Sequence, residues 1–168
     1  MKYLSYILFF AVLAFAYGCE DITEDFDIDN EAHDAFVLFA PASSQDVSAT
    51  PSATDPVIVN LNVQVRPNFR VRESLTVNLN IGGTATLGND FVLESTFVQE
   101  PPTTTDEETG EVEIDPIQTF QIPVEILPNA AAGSTIEVTL SSATVSSGLD
   151  ISVNEGSFNQ TRVIQIGG

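Results

Sequence analysis

The chain has 168 residues, with 24 acids against five basic residues and a formal charge of −19. A surface this anionic repels phosphate backbones and acidic lipid head groups, which excludes nucleic acid as a partner. It has no tryptophan and a single cysteine, so no disulfide can form within it.

Behind Lys2, residues Tyr3 to Tyr17 carry no charge and include Leu4, Ile7, Leu8, Phe9, Phe10, Val12, Leu13 and Phe15, the layout of a secretory signal. The stretch is shorter than the roughly 20 apolar residues that a membrane-spanning helix needs. Its end, Ala16-Tyr17-Gly18-Cys19, resembles the bacterial lipobox, in which small residues precede a cysteine that is acylated and becomes the mature N-terminus. The resemblance implies a lipoprotein signal peptide over residues 1–18, lipidation at Cys19, and a membrane partner met through the anchor. Each buried methylene contributes about 0.8 kcal/mol, so two or three acyl chains hold where one does not.

Without the signal, 168 minus 18 leaves 150 residues, enough for one domain with a real core. Lys2, the only lysine, leaves with it, so the remaining charge is 4 minus 24, or −20. Tyr3, Tyr6 and Tyr17 leave as well, and phenylalanine is the one aromatic type that stays. Sugar sites lay an amphipathic Trp or Tyr ring against the sugar, so a glycan platform is disfavoured.

Residues 19–35 read as an acidic, flexible tether. Glu20, Asp21, Glu24, Asp25, Asp27, Asp29, Glu31 and Asp34 repel one another, and few apolar residues oppose them. Acids directly after the cysteine resemble the export signal of Bacteroidota surface lipoproteins, which implies an outer-membrane anchor facing outward. In proteobacteria an acid there instead resembles an inner-membrane retention signal. His33, the sole histidine, ends this tether as a solvated imidazole.

From Phe36 onward the period is two, the spacing of a strand with one buried face. Val57, Val59, Leu61, Val63 and Val65 alternate with Asn60, Asn62 and Gln64, and Leu75, Val77, Leu79 and Ile81 with Thr76, Asn78 and Asn80. Further strands are predicted over 120–126 and 136–140, with shorter ones over 36–39, 91–98, 151–153 and 163–166. Turn signals at Pro67-Asn68, Gly82-Gly83, Gly88-Asn89, Pro128-Asn129 and Gly148 separate them. No segment has helical spacing, so the expected fold is all-β, a single antiparallel β-sandwich over residues 36–168. Pro123 cannot donate to a ladder, which puts its strand at a sheet edge. Residues 100–116, with Pro101-Pro102 and six acids, read as a long mobile hairpin loop.

The stretch Gly83-Thr84-Ala85-Thr86-Leu87-Gly88-Asn89-Asp90-Phe91 resembles the Gly-Thr-Ala-x-x-Gly-x-Asp-aromatic signature of Calx-beta domains, and the segments 120–126 and 136–141 resemble that family's following strands. The resemblance covers about residues 71–166 and implies an immunoglobulin-like sandwich. Calcium-binding members carry two further acid runs, where this chain has Leu127-Pro128-Asn129 and Gly167-Gly168. Ala131, Ala132 and Gly133 stand where acids commonly precede the next strand. Asp90 is the one metal candidate retained, and calcium takes six to eight oxygen ligands. The resemblance therefore implies fold without a cofactor, and Asp90 is expected to be a turn carboxylate accepting backbone N–H bonds.

Nucleophilic catalysis needs an activated Ser, Cys or Lys beside a base, and none is recognisable here, so no enzyme is expected. Arg66, Arg70 and Arg72 cluster around Phe69. They read either as a turn whose arginines meet nearby acids or as a contact patch with Phe69 as its anchor. The sequence thus points to a non-enzymatic, lipid-anchored cell-envelope module contacting envelope proteins or extracellular matrix. A calcium-dependent adhesion module and an accessory glycan-binding lipoprotein of an uptake system are the alternatives.

Overall fold

The computed structural model describes residues 35–40, 46–67, 70–153 and 160–167; Cys19, His33, Phe69 and the acidic tether up to residue 34 lie outside them, while Ala35, expected to end the tether, is buried in the core. Twelve strands and no helix form among the described residues. They are β1 (Phe36–Phe39), β2 (Asp46–Ala49), β3 (Val57–Arg66), β4 (Leu75–Gly83), β5 (Phe91–Val92), β6 (Thr96–Gln99), β7 (Thr103–Thr105), β8 (Val112–Ile114), β9 (Thr119–Ile126), β10 (Thr135–Val145), β11 (Asp150–Val153) and β12 (Thr161–Ile166).

Two layers result. The first runs β1-β3-β9-β5 and the second β2-β12-β10-β4-β6, while β11 pairs with both β10 and β1 and joins them at one side. The sandwich is antiparallel except for two parallel pairs, β1 with β11 and β12 with β2. Such pairs join strands distant in sequence, and local periodicity carries no trace of them.

Alternation places the core. On β3, Val59, Leu61, Val63 and Val65 point inward beside Phe120, Ile122, Val124 and Ile126 of the neighbouring β9, and with Leu75, Val77 and Leu79 of β4 in the other layer they form one continuous apolar cluster. Full burial of each such side chain contributes about 1.5–3 kcal/mol. Amides and hydroxyls occupy many of the outward positions: Asn62 accepts from Gln121 Nε2 at 3.0 Å on one layer, and Asn78 Nδ2 donates to Ser142 at 2.9 Å on the other.

Strand β10 is longer than its apolar spacing predicts. Ile136, Val138 and Leu140 share one parity and Ala143 and Val145 the other, yet all are buried. A bulge between Leu140 and Ser142 in the pairing with β4 supplies the extra residue that restores the inward face.

The expected single strand over 91–98 is two strands on opposite layers, β5 and β6. Apolar residues flank the crossover at Glu94-Ser95 on both sides, with no Gly or Pro to mark it, which is why the sequence hides the switch. Phe97 then stacks on Phe120 of the facing layer, with ring centroids 5.6 Å apart and planes within 2°. Residues 100–116 are more ordered than a mobile loop: β7 and β8 form a two-stranded ladder. Pro123 pairs with Asn60 on one side, and β5 reaches only Glu125 and Ile126 on the other, so Pro123 faces an open edge.

Leu140 is fully buried in mid-β10. Leu140→Ala is expected to lower unfolding free energy by about 2–5 kcal/mol, while Val98→Thr on the outer face of β6 changes it by less than about 0.5 kcal/mol. Urea titration of both variants checks the contrast.

Candidate functional site

The segment from Gly83 to Phe91 crosses from β4 in the second layer to β5 in the first, and residues 127–134 cross back from β9 to β10. The two crossovers lie against each other. Gly83 has φ +103°, and a Cβ there would land on the Thr135 carbonyl oxygen, so only glycine fits. Next to it, Thr84 N–H donates to the Thr135 carbonyl at 2.8 Å, and Thr135 N–H donates to Thr84 Oγ1 at 2.9 Å. Gly88, at φ +80°, turns the chain and donates to the Phe91 carbonyl at 2.7 Å. Phe91 closes the segment as one of the largest fully buried side chains.

Asp90 ties the crossovers together. It is 4% exposed, and its Oδ2 accepts from the Thr86 backbone N–H at 2.7 Å while Oδ1 accepts from that of Ala131 at 2.9 Å. Its own carbonyl accepts from Leu127 N–H at 2.9 Å. The Thr86 N–H, then that of Ala131, holds the carboxyl below its ordinary range, outweighing burial, which acts the other way. Both oxygens accept from backbone N–H donors. Among the described residues no three His, Cys, Asp or Glu side chains gather where a metal could be held.

No family model matches the sequence, and no curated protein matches it. Similar solved structures include the third cohesin of ScaC from Acetivibrio cellulolyticus, in complex with the ScaB dockerin, at 10% identity over 80% of this chain and 99% of that one, with TM-score 0.39. CBD12 from CALX1.2 is similar at 14% identity over 77% of this chain and 43% of that one, with TM-score 0.41. WR4, a C. elegans MSP family member, is similar at 7% identity over 71% and 91%, with TM-score 0.33.

Arg66 and Arg72 have separate hydrogen-bond partners. Arg66, ending β3, turns back to Gln64 Oε1 at 3.1 and 3.3 Å. Arg72 Nη1 donates to the Ile114 carbonyl at 3.2 Å, at the foot of the β7–β8 hairpin. Beside it, buried Val71 accepts from Ile117 N–H at 2.7 Å, and Val65 N–H donates to the Gln118 carbonyl at 3.0 Å. The turn after β3 thereby fixes the base of the hairpin, a structural use of these residues that their spacing does not reveal. Arg70 is half-buried in the same turn.

Sequence reading passed over Arg162. It shares the inward row of β12 with Ile164 and Ile166, is 5% exposed, donates from Nη2 to the Ala40 carbonyl at 2.7 Å, and lies over Phe39 with its guanidinium carbon 5.3 Å from the ring centroid. Its parity with two isoleucines is the signal that was there to find. An open pocket of about 450 Å³ along β10 and β11 is lined by Ser141, Ser142, Asp150 and Ser152 among others. No histidine, cysteine or lysine occurs among the described residues.

Two outcomes follow from the crossover geometry. Since the folded pKa of Asp90 is depressed, its contribution is complete above the unfolded value of about 3.9 and is lost as pH falls through the folded value. Asn at this position has one acceptor oxygen, and its NH2 would meet a backbone donor. The melting temperature of Asp90→Asn is therefore expected below that of the native chain at neutral pH, with the gap narrowing below about pH 4. Gly83→Ala is expected to cost more than about 1 kcal/mol, and more than Gly88→Ala, whose added Cβ meets nothing within 4 Å; thermal melts rank the pair.

Proposed function

We propose that this chain is a non-enzymatic β-sandwich contact module, held at a bacterial envelope membrane by acyl chains on Cys19 and meeting protein partners at the cell surface. The observation that carries the contact role is the β7–β8 hairpin. It belongs to neither layer, all six of its strand residues are exposed, and Val112 and Ile114 are 62% and 48% open to solvent. Large apolar side chains left in water on a hairpin whose foot is pinned by Arg72 and Val71 suit a binding surface better than a stabilising one.

Support for the anchor comes from the lipobox-like Ala16-Tyr17-Gly18-Cys19, and for distance from the membrane from the eight acids of the tether. Support for a non-catalytic role comes from the lack of His, Cys and Lys in the described sandwich. The outward face of the first layer carries Asn60, Asn62 and Gln121, and no Trp or Tyr, the rings that sugar sites use, occurs among the described residues.

Cys19→Ser tests the anchored reading. The native chain is expected in the membrane pellet with an acylated N-terminal cysteine by mass spectrometry, and the variant in the soluble fraction. A native product with an unmodified amino end, or equal partitioning of the two, refutes it.

A further inference from the structure

The hairpin is two-faced. Thr103 stands opposite Ile114 and Thr105 opposite Val112, so these four share one face, while Thr104 and Glu113 share the other. Alternation puts Glu111 and Asp115 on the Glu113 side. Six acids lie between Asp106 and Asp115, whereas the outward positions of β3 and β4 carry Asn60, Asn62, Asn78 and Asn80.

The backbone shows which groups remain to be paired. Asp115 N–H donates to the Pro102 carbonyl and Asp106 N–H to the Glu111 carbonyl, both at 2.8 Å, bracketing the ladder. Antiparallel pairs alternate between bonded and non-bonded. Thr104 and Glu113 are therefore the bonded pair, and the N–H and C=O groups of Val112 and Ile114 turn outward. The Arg72 guanidinium on the Ile114 carbonyl marks that outward side. Among the described strands, β8 pairs with β7 alone.

We infer, on the contact-module reading, that the outer edge of β8 takes an extended segment of a partner protein in which apolar and basic residues alternate. Added there, such a segment accepts and donates at Val112, sets its apolar side chains beside Val112 and Ile114, and sets its basic ones beside Glu111, Glu113 and Asp115. A third strand also gives the ribbon what a two-stranded hairpin lacks, since isolated hairpins are marginal in water. A second copy of this chain is disfavoured, because it would bring acid against acid across the new pair.

The probe is a short labelled peptide of alternating lysine and valine, titrated by fluorescence anisotropy against the full-length protein. It is compared with the same residues in two blocks and with glutamate in place of lysine. The alternating peptide is expected to bind at least about tenfold tighter than either control. Glu113→Lys should weaken it by about tenfold. Val112→Pro, which removes an outward N–H without touching the ladder bonds, should abolish it at an unchanged melting temperature. Equal binding of block and alternating peptides, or full binding to a folded Val112→Pro variant, overturns the inference, and if that variant does not fold, Glu113→Lys decides.

Photo-crosslinking in cells from Val112 and from Ile58, on the outer face of the first layer, separates the two claims. Crosslinks from Ile58 without any from Val112 overturn the β8 edge and leave the contact module standing. Crosslinks from neither overturn both.

Discussion

One carboxylate, on Asp90, connects the two places where the chain passes between layers at the Gly83 end of the sandwich. Apolar attraction between the sheets is non-directional, so it sets the heights of the chain crossings less sharply than hydrogen bonds do. Directional bonds fix what the core leaves loose. Asp90 reaches Thr86 four residues back and Ala131 far ahead, and the Thr84–Thr135 bonds set the next rung, so β4, β5, β9 and β10 begin and end at defined heights. Charge-assisted bonds of this kind are about twice as strong as neutral ones, and burial to 4% exposure shields them from competing water. The Gly-Thr-Ala-x-x-Gly-x-Asp stretch thus has a full account as a folding device: glycine for close approach, threonine for reciprocal bonding, glycine for the turn, aspartate for the tie.

Where burial follows period two, the strands were legible in the sequence. Val59–Val65, Leu75–Ile81 and Phe120–Ile126 alternate over their whole lengths and lie in β3, β4 and β9. Legibility failed where tertiary structure overrode local pattern. The parity break after Leu140 looked like a strand end because a bulge cannot be told from a terminus without its partner strand. The apolar run Phe91–Leu93 and the pair Phe97–Val98 read as one strand and concealed a change of layer. Strand β2, with only Val47 and Ala49 as its apolar positions, owes its existence to the neighbouring β12.

The candidate site was half legible for the same reason. Asp90 stood out as a motif residue and as a backbone acceptor, but its partner Ala131 lies 41 residues away and offers only an amide, which no side-chain pattern announces. Arg66 and Arg72 drew attention as a cluster, yet a carbonyl at the foot of a distant hairpin and a neighbouring amide are what they meet. Charge was spread unevenly in a way that composition hides: neutral amides and hydroxyls dominate the outward strand positions, and acids concentrate on the hairpin and the tether. In the proposed reading these segments divide the work, with the tether setting distance from the membrane, the sandwich supplying rigidity, and the hairpin making contact.

The central claim, that a carboxylate bonded to backbone amides holds the crossovers without help from a metal, is tested most directly by amide hydrogen exchange at Thr86 and Ala131, followed by NMR in chelator and again in millimolar calcium. The account predicts that both amides exchange slowly in chelator and that calcium leaves their rates unchanged. Rapid exchange in chelator, with protection appearing only when calcium is added, would contradict it.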